Sequence, residues 1–129
     1  CRLDSGIIKH KNKFPKKDLS ELIDITTENY INYIFKHNIN CQHRIIVQGV
    51  PCPNIDTANV TNSEIAHLIK VIKIFNAKLR KKTTQKGYGF LDVYKLTDRG
   101  DGFSNAIWHI DKNHLSPDGI LEAWRRFRP

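Results

Sequence analysis

The most chemically loaded stretch of the chain is Trp108-His109-Ile110-Asp111-Lys112-Asn113-His114-Leu115-Ser116-Pro117-Asp118-Gly119. A carboxylate three residues before an imidazole, in a loop that turns into a helix, can fix the ring and stabilise its protonated form, which is what a general base requires. Asp111 and His114 are therefore the candidate catalytic pair, with His114 as the base and Asp111 as its partner. Two other readings use the same residues. His109, Asp111 and His114 form a two-imidazole, one-carboxylate set of the kind that binds zinc or iron, but a metal hydrolase usually draws further ligands from other loops, and no metal is assigned. Alternatively, His114 only caps and packs the last helix of a non-catalytic binding module.

The elements that must hold this pair follow from local patterns. Ser116 suits an N-cap, Pro117 the first helical position, and Asp118 the positive end of a helix dipole. Ile120, Leu121, Trp124 and Phe127 recur at helical spacing and predict an apolar face that seats the terminal helix. Upstream, Asp18 with Glu21 opens a helix to about Asn38, with Leu19, Leu22, Ile23, Thr26, Tyr30, Tyr33, Ile34 and His37 as its stripe. Its tyrosines are read as core and rim residues, and His37 as a helix terminator. Arg44 to Pro51 reads as a strand whose continuous apolar centre, Ile45-Ile46-Val47, fits a parallel strand covered on both faces. Thr61 and Glu64 form a capping box opening a helix to about Lys82, with Ile65, Leu68, Ile69, Ile72, Phe75 and Leu79 buried and His67 exposed. Tyr88 to Leu96 reads as the next strand, with Asp92 a polar residue of unassigned partner inside it. Strand and helix alternate, which predicts an α/β fold with a parallel sheet layered between helices.

With these elements in place, Asp-Lys-Asn-His-Leu-Ser-Pro-Asp-Gly (Asp111 to Gly119), preceded by Phe90-Leu91-Asp92-Val93-Tyr94, resembles the last conserved block of the SGNH/GDSL hydrolase family. There Asp-x-x-His-Leu supplies two members of a Ser-His-Asp triad. Val47-Gln48-Gly49-Val50-Pro51 is similar to the end of that family's fourth strand, and Cys1-Arg2 to the end of a Gly-Glu-Ile-Asp-Cys-Arg run in a bacterial branch. The resemblance implies triad roles for Asp111 and His114. It also implies a three-layer α/β/α, flavodoxin-like (SGNH hydrolase-like) domain, of which residues 1–129 are the carboxy-terminal portion. The family's Gly-Asp-Ser nucleophile block and its oxyanion-hole glycine and asparagine have no counterpart in the sequence. Leu3-Asp4-Ser5-Gly6 follows no strand and precedes no amphipathic helix, so it makes a poor nucleophile elbow. The nucleophile is expected in an upstream segment of the same domain, and the 129 residues alone are expected to be inactive. The implied substrate is a small-molecule or carbohydrate ester, with no cofactor.

Three residues are candidate substrate contacts. Arg2, in a lead-in loop over residues 1–17, could face a substrate or an oxyanion, or form an ordinary solvated ion pair. Asn54 and Asp56 follow a strand's carboxyl end, where ligands bind in open parallel sheets, though both residue types also serve plain turn chemistry.

Composition narrows the remaining classes. The chain starts at Cys1 and contains no methionine, which suggests a processed or excised piece. A hydrophobic content of 40% suffices for a core, and no apolar run approaches the length of a membrane span. The net charge of +8 raises the possibility of nucleic acid. However, Lys9, Lys11, Lys13, Lys16 and Lys17 have a single aromatic, Phe14, among them. Arg80-Lys81-Lys82 and Arg125, Arg126 and Arg128 sit at helix ends, where cations complement the dipole, so nucleic-acid binding is not expected. Cys1, Cys41 and Cys52 form neither a disulfide framework nor a zinc ribbon; Cys41 and Cys52 are read as free thiols, pointing to a reducing, cytoplasmic setting. The string Asp98, Arg99, Asp101, Gly102 lacks the spacing and glutamate of a calcium loop.

Overall fold

A computed structural model describes residues 18–127 of the chain. The elements are α1 (Leu19–Asn38), β1 (Ile46–Gln48), α2 (Asn62–Gln85), β2 (Gly89–Leu91), α3 (Val93–Thr97) and α4 (Pro117–Phe127). The two strands pair in parallel, Val47 opposite Phe90, with α2 as the crossover that parallel pairing requires. The chain is thus a mixed α/β protein.

Both long helices start where local chemistry says they should. The Asp18 carboxylate accepts the Glu21 N–H at 2.7 Å. At α2 the Thr61 hydroxyl accepts the Glu64 N–H at 3.1 Å while Glu64 accepts the Thr61 N–H at 3.3 Å, completing the expected capping box. α1 lies on α2, and Lys82 Nζ ties their rims to Asp24 Oδ1 at 2.8 Å and Glu28 Oε2 at 3.1 Å.

Successive strand residues point to opposite faces, and the core divides accordingly. Ile45 and Val47 join Phe90, Ile23, Ile31, Val71, Ile72, Phe75 and Leu79 in one cluster beneath α1 and α2. Ile46 and Leu91 join Val93, Leu96, Ala123, Trp108, Leu115 and Phe127 in a second, beneath α3 and α4. The sheet is therefore covered on both faces, as the apolar run Ile45-Ile46-Val47 implies.

Several expected details are corrected. The first strand is shorter than Arg44 to Pro51. Beyond it, Asn76 of α2 takes over the pairing: its Oδ1 accepts the Val50 N–H and its Nδ2 donates to the Val50 carbonyl, each at 2.8 Å. The run Tyr88 to Leu96 is not one strand, because Asp92 caps α3 by accepting the Lys95 N–H at 3.0 Å, and Arg80 approaches its carboxylate at 3.5 Å. In α1 the buried stripe passes through Thr27 and Ile31, leaving Tyr30 and Tyr33 exposed, the latter against the His37 ring.

The terminal helix is turned relative to expectation. Leu121 and Trp124 are 56% and 48% exposed, whereas Gly119 and Ala123 face inward. Small residues let α4 approach the protein closely: a Cβ on Gly119 would lie 3.0 Å from Trp108 Cβ and 3.1 Å from its carbonyl oxygen. Among the described residues, no helix is long and apolar enough to cross a membrane.

Candidate active site

The pair sits at the tip of a tight hairpin-like turn. Ile110 N–H donates to the His114 carbonyl at 3.0 Å and Ser116 N–H to the Trp108 carbonyl at 2.7 Å, with His109 and Leu115 bridged in antiparallel fashion. Below the turn, Trp108 and Leu115 pack on the second core cluster. Ser116 then caps α4 as expected, its Oγ accepting the Gly119 N–H at 3.1 Å.

At the tip, Asp111 Oδ1 accepts the N–H groups of Asn113 and His114, both at 2.7 Å. The same carboxylate receives His114 Nδ1, at 2.9 Å from Oδ1 and 2.8 Å from Oδ2. The Asn113 N–H and then the His114 side chain hold the Asp111 carboxyl down to a pKa of about 2, so it is a carboxylate at neutral pH. An ionised carboxylate only accepts hydrogen bonds, so His114 Nδ1 must carry the proton. In the neutral ring Nε2 is then left with a free lone pair, the tautomer in which imidazole takes a proton from a nucleophile. Both side chains are open to solvent, His114 at 69% and Asp111 at 52%. Solvent screening at that exposure makes the pair a minor contributor to stability.

Of the candidate substrate contacts, the structure brings Asn54 to the pair: its Nδ2 donates to the Asp111 carbonyl at 3.2 Å. Asp56 instead accepts the Ala58 N–H at 3.0 Å, the turn role that is its plainer reading. Arg2 lies outside the described residues, as do Leu3-Asp4-Ser5-Gly6, the lysines of residues 1–17, and Arg128. The string from Asp98 serves its own loop: Asp98 Oδ1 accepts the N–H groups of Gly100 and Gly102, and Arg99 pairs with both oxygens of Asp101 at 2.9 Å.

Comparison with family models, curated proteins and solved structures found no match to the chain. Its own geometry is what bears on function.

The floor of the site is made by residues that sequence reasoning passed over. Cys52 N–H donates to Thr97 Oγ1 at 2.9 Å, and Ser104 N–H donates to the Pro53 carbonyl at 2.9 Å. With Asn76 on Val50 and Asn54 on Asp111, the segment from Val50 to Asn54 is pinned at four points. Cys52 is 1% exposed, and burial pushes its thiol up to about 11. Cys41 is an exposed free thiol and Cys52 a buried one. No local signal marks Asn76, Thr97 or Ser104, because each acts on backbone far away in sequence.

His109 also has a partner other than a metal. Ser104 Oγ lies 2.7 Å from His109 Nδ1 and accepts the Ala106 N–H at 2.9 Å. The Ser104 hydroxyl can donate to or accept from Nδ1, according to the ring tautomer. Burial lowers the His109 pKa, in keeping with a neutral imidazole. Among the described residues, no group of three or more His, Cys, Asp or Glu is arranged to hold a metal ion.

A small cavity adjoins the turn, and a larger groove lies apart from it. A cavity of about 50 Å³ lies against the Asp111–His114 turn, lined by Cys52, Pro53, Leu68, Ile72, His109, Lys112 and Asn113 among others. A broader groove of about 750 Å³ is lined by Arg80, Tyr88, Phe90, Lys95, Arg126 and Phe127 among others. Neither concavity is lined by Asp111 or His114, but the small cavity includes residues of their turn and the groove does not. Size alone favours the groove, but the chemistry lies beside the small cavity.

Proposed function

We propose that the chain supplies the base and the orienting carboxylate of a serine ester hydrolase acting on small-molecule or carbohydrate esters. One observation carries the reading: His114 Nδ1 is held on both oxygens of an ionised Asp111, which in the neutral ring leaves Nε2 as the nitrogen able to accept a proton. The resemblance of Asp111 to Gly119 to the last SGNH/GDSL block supports the same roles. It also supports placing the two-faced parallel pair in a larger three-layer, flavodoxin-like sheet, while the free thiols support a cytoplasmic setting.

In this mechanism a serine hydroxyl attacks the ester carbonyl as His114 Nε2 takes its proton. The tetrahedral intermediate collapses, breaking the bond to the alcohol, which leaves with the proton returned by the imidazolium. Water, deprotonated by His114, then releases the acid and restores the serine. Asp111 keeps the ring in its tautomer and stabilises the cationic form without itself taking a proton. Among the described residues no serine hydroxyl hydrogen-bonds to His114, so the nucleophile is assigned to a segment outside residues 18–127. The reaction as proposed uses no cofactor.

The test is ester hydrolysis by the full-length protein and its His114→Ala variant. Loss of turnover by several orders of magnitude is expected; turnover that survives the substitution unchanged contradicts the assignment. The exposure of both side chains favours one second reading, a non-catalytic binding module. It predicts that ligand binding persists in His114→Ala and that no serine is activated.

A further inference from the structure

The small cavity beside the turn has the shape and chemistry of an acyl pocket. Its lining runs from side chains removed from solvent, Cys52 at 1% and Ile72 at 5% exposed, through half-buried Leu68 and Ile55, to exposed Lys112 and Asn113. The inner wall is apolar and the mouth polar, the arrangement that takes a short hydrocarbon end and leaves a carbonyl or carboxylate outside. Three of its lining residues, His109, Lys112 and Asn113, belong to the turn that carries Asp111 and His114. The opposite wall, Pro53 and Ile55, brackets Asn54, whose side chain bonds Asp111 itself. Cavity and catalytic pair are thus parts of one assembly.

Its volume sets what fits. An apolar cavity of about 150 Å³ admits benzene, so one of about 50 Å³ has room for roughly two non-hydrogen atoms. The methyl of an acetyl group fits within it, with the carbonyl carbon at the mouth. A butyryl chain is too long, and the wall behind it does not yield easily: Val50 and Cys52 are fixed by Asn76 and Thr97, and Ile72 is in the main core cluster. At the mouth, His109 has Nδ1 engaged by Ser104, and Lys112 adds a positive charge. The Lys112 ammonium suits an acyl oxygen or the carboxylate formed on hydrolysis.

We infer that this cavity binds the acyl part of the substrate and restricts the enzyme to acetyl-sized esters. The inference rests on the ester-hydrolase reading and adds to it the acyl class.

The test compares 4-nitrophenyl acetate, butyrate and octanoate as substrates of the full-length protein, its His114→Ala variant, and the pocket variants Leu68→Ala and Ile55→Ala. A methylene that a pocket cannot take costs about 10- to 200-fold in kcat/KM. Acetate should therefore exceed butyrate by at least about tenfold, with octanoate lower still. Either pocket variant should narrow the acetate-to-butyrate ratio by about tenfold, because removing a branched side chain opens space for added methylenes. His114-dependent hydrolysis with a flat chain-length profile, or with a ratio that neither variant moves, overturns the pocket assignment and leaves the hydrolase reading standing. Absence of His114-dependent hydrolysis of all three esters overturns both. Because the wild-type profile is itself a readout, the assignment stays testable even if one variant fails to fold.

Discussion

The segment from Val50 to Asn54 and the turn from Asp111 to His114 lie side by side and are built in opposite ways. The first is largely buried and fixed by distant elements: Asn76 of α2 on Val50, Thr97 of α3 on Cys52, and Ser104 on Pro53. The second is exposed and fixed mainly by itself, through Asp111 on the N–H groups of Asn113 and His114. The Asn54 side chain joins the two by donating to the Asp111 carbonyl. A rigid floor thus carries a self-bracing turn, and stability and chemistry are assigned to different residues. Substitutions in the turn should remove activity and spare the fold, whereas substitutions that unpin the floor at Val50 or Cys52 should do the reverse.

The largest expected effect is on activity. His114→Ala should lower kcat by on the order of 10⁴-fold or more, with an unchanged thermal midpoint, because its ion pair is solvent-screened. A large fall in that midpoint would show that the turn carries the fold after all. Next in size is Thr97→Val, which strands the buried Cys52 N–H and should cost about 1–3 kcal/mol in urea unfolding, seen as a lower midpoint at unchanged slope. Asn54→Ala tests the connection between the regions. It should lower kcat by about tenfold through a looser turn, with little change in KM or in stability. Equal losses in stability and activity would mean that the regions are one unit.

The smallest effect is one of pH. Burial raises the Cys52 thiol from 9.0 to about 11, and raises the Tyr94 phenol above its ordinary 10.0. The folded state therefore holds protons that the unfolded chain releases. Stability from Cys52 is fully present below pH 9 and declines as pH rises toward about 11, and Tyr94 adds to the decline above pH 10. Cys52→Ala should flatten the first part of that decline in pH-dependent unfolding. In the folded protein iodoacetamide should modify Cys41 and spare Cys52, and equal labelling of the two would mean that the floor opens readily.

What could be read from the sequence was what is local. The capping box of Thr61 and Glu64, the Asp18 and Ser116 caps, and the Asp111–His114 pair all act over three residues, so spacing reveals them. The strand core Ile45-Ile46-Val47 announced its two-sided cover because every one of its residues is apolar. The floor was hidden because the partners of Asn76 and Thr97 lie 26 and 45 residues away, and a polar residue on a helix gives no sign of which backbone it will reach. Asp92 misled because its apolar neighbours read as a strand, whereas a carboxylate ahead of Val93 also caps a helix. In α4, hydrophobicity pointed to Leu121 and Trp124, but close approach to Trp108 selects Gly119 and Ala123 for the inner face. Asn54 was expected as a substrate contact or a turn residue, whereas its side chain bonds Asp111, a contact set by tertiary structure alone.

The central claim is that His114 is a working base beside an activated serine. It is tested most directly by treating the full-length protein and its His114→Ala variant with a fluorophosphonate, then locating the adduct by intact and peptide mass spectrometry. Labelling of a single serine in the wild type, lost in His114→Ala while the variant stays folded, is the predicted result. Absence of any labelled serine in the folded wild-type protein, or labelling that persists undiminished without His114, would contradict it.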